Sequence, residues 1–499
     1  MRRRKRYFHI HLIVIFLAIF LSACVVQKNP VTGKKRAYAY SWSQERQIGE
    51  NADKQIQQEY GVYDDPKLQE YVSRIGQKVL SESHLRRKDT PEKFKETPFT
   101  FRVLNSPVVN AFALPGGFVY VTRGLLSHLE NEAQLAVVLG HEIGHVAARH
   151  ASQQALQQKI GQAALIGGAV VGQEVFGVSG QDILNLGSSA AQLLFLRYSR
   201  DDEREADQLG VEYAAMSGYQ AASASHFFTS LKRLSDKSGQ NLPSLLSTHP
   251  DPGNREKTIV KLADQWKQKG YDQKVIDKQA FMNEINNIIY GDNPREGLTQ
   301  NGYFFHPDLK FKFPVPDKWQ VINQASQVVF VSPKQDAIMI MSIDSQSENP
   351  RQSVMNVINQ NGIQVLETGS AKSGDITAYK ATATAQTQNN KTIKLFIYAL
   401  DFNNNIYRFT DYSALENFPD FQPDFINTAR GFSKITDSKI LNIKPVRLHV
   451  VKTQKSAPFK SFLPSKLPMN LKPDDIAIIN QVSLNENISS GNDLKIPEQ

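Results

Sequence analysis

Two rhythms divide the chain. In its first half apolar residues recur every three to four positions, the spacing that gathers them on one helix face. In its second half the composition shifts to short runs set off by turn residues, which read as strands. Residues 43–60 and 65–82 read as helices, and Leu68, Val72, Ile75 and Val79 form the apolar stripe of the second. Short strands follow at 99–104 and 118–122. The next helix, 131–151, is entered through Ala133, Ala136, Val137, Val138 and Leu139, with no charge among them. Another helix starts in the acidic run 199–210. Asp292-Asn293-Pro294-Arg295-Glu296-Gly297 has the composition of a linker. Beyond it, strands are expected at 309–314, 328–332, 338–343, 378–385, 391–400 and 406–410, with Asn389-Asn390 and Asn403-Asn404-Asn405 as turns. Helices are expected at 352–361 and 423–431.

These elements predict an α+β protein. A mainly helical domain with a small sheet occupies 24–292, and an antiparallel-sheet α+β domain, weakly similar to the PsbP/Mog1 type, occupies 300–436. A small segment covers 447–499. A length of 499 residues accommodates two or three such domains. The last segment faintly resembles a LysM module in Leu448-His449-Val450-Val451-Lys452 and in the stretch 476–497. It lacks the usual Gly-Asp-Thr and carries several prolines, so a degenerate module, with peptidoglycan as its partner, and a plain structural tail both remain open. Between residues 159 and 196 lies an apolar insert, with runs at 163–171 and 190–196. It reads either as a lid contacting membrane or as a buried helical hairpin.

The N-terminus changes the compartment. Arg2, Arg3, Arg4, Lys5 and Arg6 precede an apolar stretch at 10–20, too short for a comfortable membrane span and typical of a secretory leader. Leu21-Ser22-Ala23-Cys24 then reads as a lipobox, and Cys24 is the single cysteine, so no internal disulfide is expected. It resembles bacterial lipoprotein signals, which implies a lipid on Cys24. No aspartate follows it, which favours the periplasmic side of the outer membrane in a Gram-negative cell. The formal charge of +9 falls to +4 when the five basic residues of the leader are removed. With no basic motif or stacking aromatics, nucleic acid is not expected as a partner.

The chemistry lies in His141-Glu142-Ile143-Gly144-His145. Two histidines four apart share a helix face, so their imidazoles converge on one Zn²⁺, with Glu142 placed as general base. A His-Glu pair entered from an apolar run needs a partner. Gly140 and Gly144 each disfavour the helix by about 1 kcal/mol relative to Ala, which points to a close approach by another backbone or a ligand. The third ligand should be a carboxylate or histidine from elsewhere. Glu203 fits, and Asp207, four residues on, can accept a hydrogen bond from the free N–H of a ligating histidine. His150, five residues past His145, reads as an ordinary polar residue on another face. Peptide hydrolysis by such a site needs no serine or cysteine nucleophile.

With these pieces the sequence resembles the zinc metallopeptidase family of the HtpX protease and the CAAX prenyl endopeptidase. It is closest to the periplasmic lipoprotein branch that includes the β-barrel assembly-enhancing protease. The likeness covers roughly 29–265 and rests on HEIGH (141–145), SRDDEREADQLG (199–210), NAFALPGGFVYVTRGLL (110–126), STHPDPGNR (247–255) and NPVTGKK (29–35). It implies a metalloendopeptidase of the gluzincin type with one Zn²⁺ on His141, His145 and Glu203, Glu142 as base and Asp207 behind the ligands. It also implies that Asn110, Ala111 and Phe112 lie on an edge strand that pairs with substrate. His249 matches a family histidine near the metal, serving either as oxyanion stabiliser or as a ligand that holds the enzyme latent. Implied partners are unfolded or misassembled envelope proteins, the membrane through Cys24, and the outer-membrane assembly machinery. The alternatives are a chaperone or assembly scaffold with a closed zinc site, and a cell-wall-binding protein. No tetratricopeptide repeat is present, so partners that such repeats recruit in relatives are not expected.

Overall fold

The computed structural model describes residues 24–167, 198–238, 245, 249, 254–387 and 391–499. The leader 1–23, the insert 159–196 beyond Gly167 and the Asn389-Asn390 turn fall outside the described residues. Among the described residues no helix is long and apolar enough to cross a membrane.

A hairpin of β1 (Val25–Lys28) and β2 (Lys35–Tyr38) opens the described chain. Helix α1 (Trp42–Tyr60) starts at a capping box formed by Ser41 and Gln44, and α2 (Pro66–Ser81) starts at Asp65, with Pro66 in its first turn. The expected stripe of α2 is buried, together with Tyr71, Gly76 and Leu80. A three-stranded sheet follows, in the order β3 (Thr100–Leu104), β5 (Phe118–Thr122), β4 (Ala111–Leu114). Strand β3 runs parallel to β5, and β4 runs antiparallel to it along one edge.

Helix α3 (Glu132–Ala148) carries the HEIGH sequence. Asn131 caps it by accepting from the Gln134 amide, and every one of its residues is buried. It is therefore the axis of the domain. The single helix expected over 131–151 is in fact two. Arg149 adopts φ 62°, ψ 39°, a left-handed conformation that stops α3, and α4 (His150–Gly167) sets off in a new direction. Helix α5 (Arg200–Met216), capped by Ser199 with Asp202, crosses α3, and α6 (Ala224–Ser238), α7 (Arg255–Gln268) and α8 (Lys278–Ile285) complete the domain. The crossing explains the helix glycines. A Cβ on Gly140 would stand 2.8 Å from the Gly210 carbonyl oxygen, and one on Gly210 would stand 2.8 Å from the His141 amide nitrogen. The two backbones touch, as the cost of helix glycines suggested.

The second unit holds a seven-stranded antiparallel sheet in the order β12, β13, β14, β15, β11, β10, β9. Its strands are β9 (Gln320–Asn323), β10 (Gln327–Val331), β11 (Ala337–Ile343), β12 (Ile363–Ser373), β13 (Ile376–Gln386), β14 (Thr392–Phe402) and β15 (Asn405–Ala414). Helix α9 (Pro350–Ile358) packs on one face. Helix α10 (Phe418–Arg430) covers the other, with a small sheet of β6 (Leu298–Gln300), β7 (Tyr303–His306), β8 (Phe311–Pro314) and β16 (Ser433–Lys434). Helix α10 begins five residues earlier than expected. Buried Phe418 and Phe425 anchor it, and Pro423 is accommodated inside it.

Residues 447–499 form paired strands and a short helix. Strand β17 (Arg447–Lys452) pairs antiparallel with β20 (Asp493–Glu498), β18 (Ala457–Pro458) with β19 (Asn487–Ile488), and α11 (Pro473–Ile479) lies between them in sequence. Leu448, Phe459, Ile476, Ile479, Leu494 and Ile496 join the same core as α2 and α3.

Candidate metal centre

Four side chains meet over the middle of α3. His141 and His145 point the same way, one turn apart, with their Nε2 atoms 3.0 Å from each other. Glu203 arrives from α5, placing Oε2 3.5 Å from His141 Nε2 and Oε1 3.5 Å from His145 Nε2. His249 closes the group, its Nδ1 3.3 Å from His141 Nε2 and 3.0 Å from Glu203 Oε1. All four residues are buried, and one ligand atom from each lies within 4.8 Å of the others. Their approach follows from the helix crossing. Glu203, Asp207 and Gly210 share one face of α5, and Gly210 against Gly140 lets that face reach the histidines.

The chemistry of this set fits a zinc ion. Ligands about 2.0–2.1 Å from a tetrahedral ion stand about 3.3 Å apart, and the distances among His141, His145 and Glu203 bracket that value. Among the described residues neither oxygen of Glu142 nor Oε2 of Glu203 has a partner within hydrogen-bond geometry, although Glu142 is 1 % exposed. A cation and its water would satisfy groups that otherwise cost free energy to bury.

Electrostatics separate the roles. Burial pushes the Glu142 carboxyl up, toward the range of a general base. Burial also opposes ionisation of Glu203, but His249 and His141 overcome it and hold that carboxylate well below the usual range. His141 is pushed down by burial and by Arg255, and up by Asp207 and Glu203, and it settles at about 9.

Asp207 stands where the sequence placed it. Its Oδ1 lies 3.0 Å from His141 Nδ1, which leaves Nε2 to face the cluster. Arg255, the first residue of α7, was given no role from sequence. Its Nε bonds both Asp207 oxygens at 3.0 and 2.9 Å, and its Nη2 lies 3.1 Å from His141 Nδ1. Tyr198 was also missed. Its ring stacks on that of His145 with centroids 4.1 Å apart. His150 requires a correction, because it does not face away. The break at Arg149 swings its ring back, fully buried, so that its Nδ1 lies 2.9 Å from His145 Nδ1.

Among the described residues the strand assigned to substrate is an edge strand, since there β4 pairs only with β5. Ala111 and Phe112 are buried, with Phe112 stacked on Tyr120. The residues next to Phe112 that share a small cavity, of about 10 Å³, with His145, Val146 and Tyr198 are Ala113, Leu114 and Pro115. Asn110 precedes the strand, its amide donating to Thr122 Oγ1. Cys24, half-buried and free, begins the described chain ahead of β1.

Comparison with known proteins agrees with this geometry. Residues 66–263 match peptidase family M48. The chain is 31 % identical over 244 residues to a putative β-barrel assembly-enhancing protease of Vibrio cholerae, covering 46 % of this chain and 47 % of that one. It is 28 % identical over 232 residues to the β-barrel assembly-enhancing protease of Escherichia coli. It is 34 % identical over 158 residues to the mitochondrial metalloendopeptidase OMA1 of Arabidopsis thaliana, covering 32 % of this chain and 30 % of that one. The chain thus spans about half the length of the bacterial relatives. Among solved structures, cyanobacterial PsbP from Synechocystis matches 27 % of this chain and 91 % of its own, at 13 % identity and a TM-score of 0.23. A Mog1 variant matches 30 % of this chain and all of its own, at 10 % identity and a TM-score of 0.21.

Proposed function

We propose, from the premise that residues 66–263 are a peptidase family M48 domain, that this protein is a zinc-dependent metalloendopeptidase of the bacterial envelope. We assign it to the periplasmic face of the outer membrane, held by a lipid on Cys24, where it removes misfolded or misassembled outer-membrane proteins. The observation that carries the activity is the buried cluster of His141, His145 and Glu203 with Glu142 beside it. The setting rests on the bacterial relatives, which are named for β-barrel assembly.

His141, His145 and Glu203 would hold the ion. When bound, Zn²⁺ supplies an activated water nucleophile and polarises the scissile carbonyl. The chain's own residues do the rest. Asp207 fixes the His141 ring by accepting from Nδ1. Glu142 takes a proton during attack and delivers it to the leaving amine. The edge of β4 that no described strand occupies would align an extended substrate by backbone pairing.

A second reading concerns His249. Its Nδ1 sits among the ligand atoms, and its Nε2 lies 3.7 Å from Glu142 Oε1. A catalytic zinc keeps one position for water or substrate, whereas a site with four protein ligands is closed. On this reading His249 would fill the position otherwise left for water, and the protein would serve as an assembly scaffold. Cleavage of an unfolded test protein by the zinc-loaded chain separates the cases. Glu142→Gln should retain zinc and lose at least 100-fold in rate, whereas His249→Ala should cleave faster than the parent. A Glu142→Gln variant as active as the parent sinks the peptidase reading, and an inert His249→Ala variant favours the scaffold.

A further inference from the structure

The two histidine ligands are supported differently. His141 has the Asp207 carboxylate behind it at 3.0 Å. The rear nitrogen of His145 instead meets another imidazole, with Nδ1 of His150 at 2.9 Å and the two rings at 75°. On its far side, His150 Nε2 lies 3.3 Å from Glu205 Oε2 and 3.7 Å from Asp202 Oδ1. Both acids belong to α5, the helix that also supplies Glu203. His150 is fully buried, whereas the side chains of Glu205 and Asp202 are 27 % and 21 % exposed.

One arrangement of protons satisfies this line. His145 turns Nε2 to the ligand cluster, so that nitrogen must offer a lone pair and the proton must sit on Nδ1. At 2.9 Å, two imidazole nitrogens share a single hydrogen. His145 Nδ1–H therefore donates to a bare His150 Nδ1. His150 then holds a proton on Nε2, 3.3 Å from Glu205 Oε2, and donates it there, since an ionised carboxylate has only acceptors. Each tautomer in the line dictates the next. The geometry depends on the break between α3 and α4. On an unbroken helix a residue five positions on from His145 would lie about 140° around the axis, and only the left-handed turn at Arg149 returns it.

We propose that His150 is a positioning residue of the metal centre, forming with Glu205 a relay that fixes the tautomer of His145 as Asp207 does for His141. The inference rests on the metal-centre reading above, and its test includes a readout that needs no metal. In the metal-free full chain labelled with ¹⁵N-histidine, His145 is expected as the Nδ1–H tautomer. In His150→Leu it should shift to a mixture or to the Nε2–H form. Zinc affinity, measured by competition with a chromogenic chelator, should fall about 10–100-fold in His150→Leu. It should stay within about threefold of the parent in His150→Asn, whose carbonyl can occupy the acceptor position. Glu205→Gln, at a partly exposed site, keeps the fold and should lose a few-fold. If His150→Leu does not fold, His150→Asn and Glu205→Gln carry the test. Parent His145 found as the Nε2–H tautomer, or folded His150→Leu binding zinc as tightly as the parent, overturns the relay. A parent that binds no zinc while showing the Nδ1–H tautomer removes the metal-centre reading and leaves the relay standing.

Discussion

Asp411 points from the middle of β15 into the core beneath α10, fully buried, and among the described residues no side chain bonds its carboxylate, only the Ile340 backbone easing its charge. Burial pushes its carboxyl well above the usual range, so the folded state favours the neutral acid. The sign follows from linkage. A carboxyl raised on folding binds its proton more tightly in the native state, so its share of stability is full in acid. That share is lost as pH rises through the unfolded value near 3.8 toward the folded one. Asp411→Asn removes this titration while keeping shape. It should raise the melting temperature of the α+β unit at pH 8 by the equivalent of about 1–3 kcal/mol, and the difference should shrink toward pH 4. Differential scanning calorimetry at the two pH values checks this, and an unchanged difference would mean that the folded carboxyl does not titrate between them. Asp207 shows the opposite solution to the same problem. Burial opposes its ionisation, and Arg255, with His141, overcomes the cost and holds its carboxyl below the usual range.

The elements were legible where a local pattern carries them. The stripe of α2, the His141/His145 and Glu203/Asp207 spacings, and the apolar run of β14 all lie within one element. Strand β12 was not legible because it is an edge strand with few buried positions, even exposing Val365 and Leu366. Arg255 and Tyr198 reach the centre through tertiary packing alone. The end of α3 was missed for a specific reason. Glycine or asparagine normally marks a left-handed helix stop, and here the residue is arginine. What holds it there is packing. The Arg149 guanidinium donates to Glu45 at 3.0 and 2.6 Å, to Gln27 and to the Tyr40 carbonyl, and it lies 3.7 Å from the centre of the Tyr38 ring. Arg149→Ala would leave Glu45 as an uncompensated buried charge and should cost about 3–5 kcal/mol. Arg149→Lys should recover little, since one ammonium cannot make this fork of bonds. Denaturant unfolding measures both. A loss below about 1 kcal/mol in Arg149→Ala would show that the break belongs to the backbone rather than to this side chain.

At the scale of the molecule the chain leaves the peptidase unit and comes back to it. The Asn287 amide donates to the Leu448 carbonyl at 2.7 Å, Leu448 to Ile288 at 2.9 Å, and Tyr290 to Val446 at 2.9 Å. The departing and returning strands are therefore hydrogen-bonded neighbours, and the α+β unit hangs between them as an insertion. Its two cores are built from residues 304–432 alone. Few described hydrogen bonds tie it to the peptidase, among them Ala325 to the Glu59 carbonyl and Asn105 to Glu296. The segment after Val446 is bound far more closely. Lys495, fully buried, donates to the Ser127 and Leu129 carbonyls and pairs with Glu130, just before α3 begins. Gln481 bonds Gln134 within α3 and the His128 carbonyl. Opposed residues of an antiparallel pair stand about 5 Å apart, so a loop of about four residues can replace 292–444. That excised protein should fold cooperatively and bind zinc with the affinity of the parent. Truncation after residue 444, which removes Leu448, Phe459, Ile476 and Ile496 from the core, should unfold or aggregate instead. Circular dichroism and chelator competition on the two proteins decide the matter. A folded, zinc-binding truncation beside an unfolded excision would mean that the α+β unit, not the C-terminal segment, supports the metal centre.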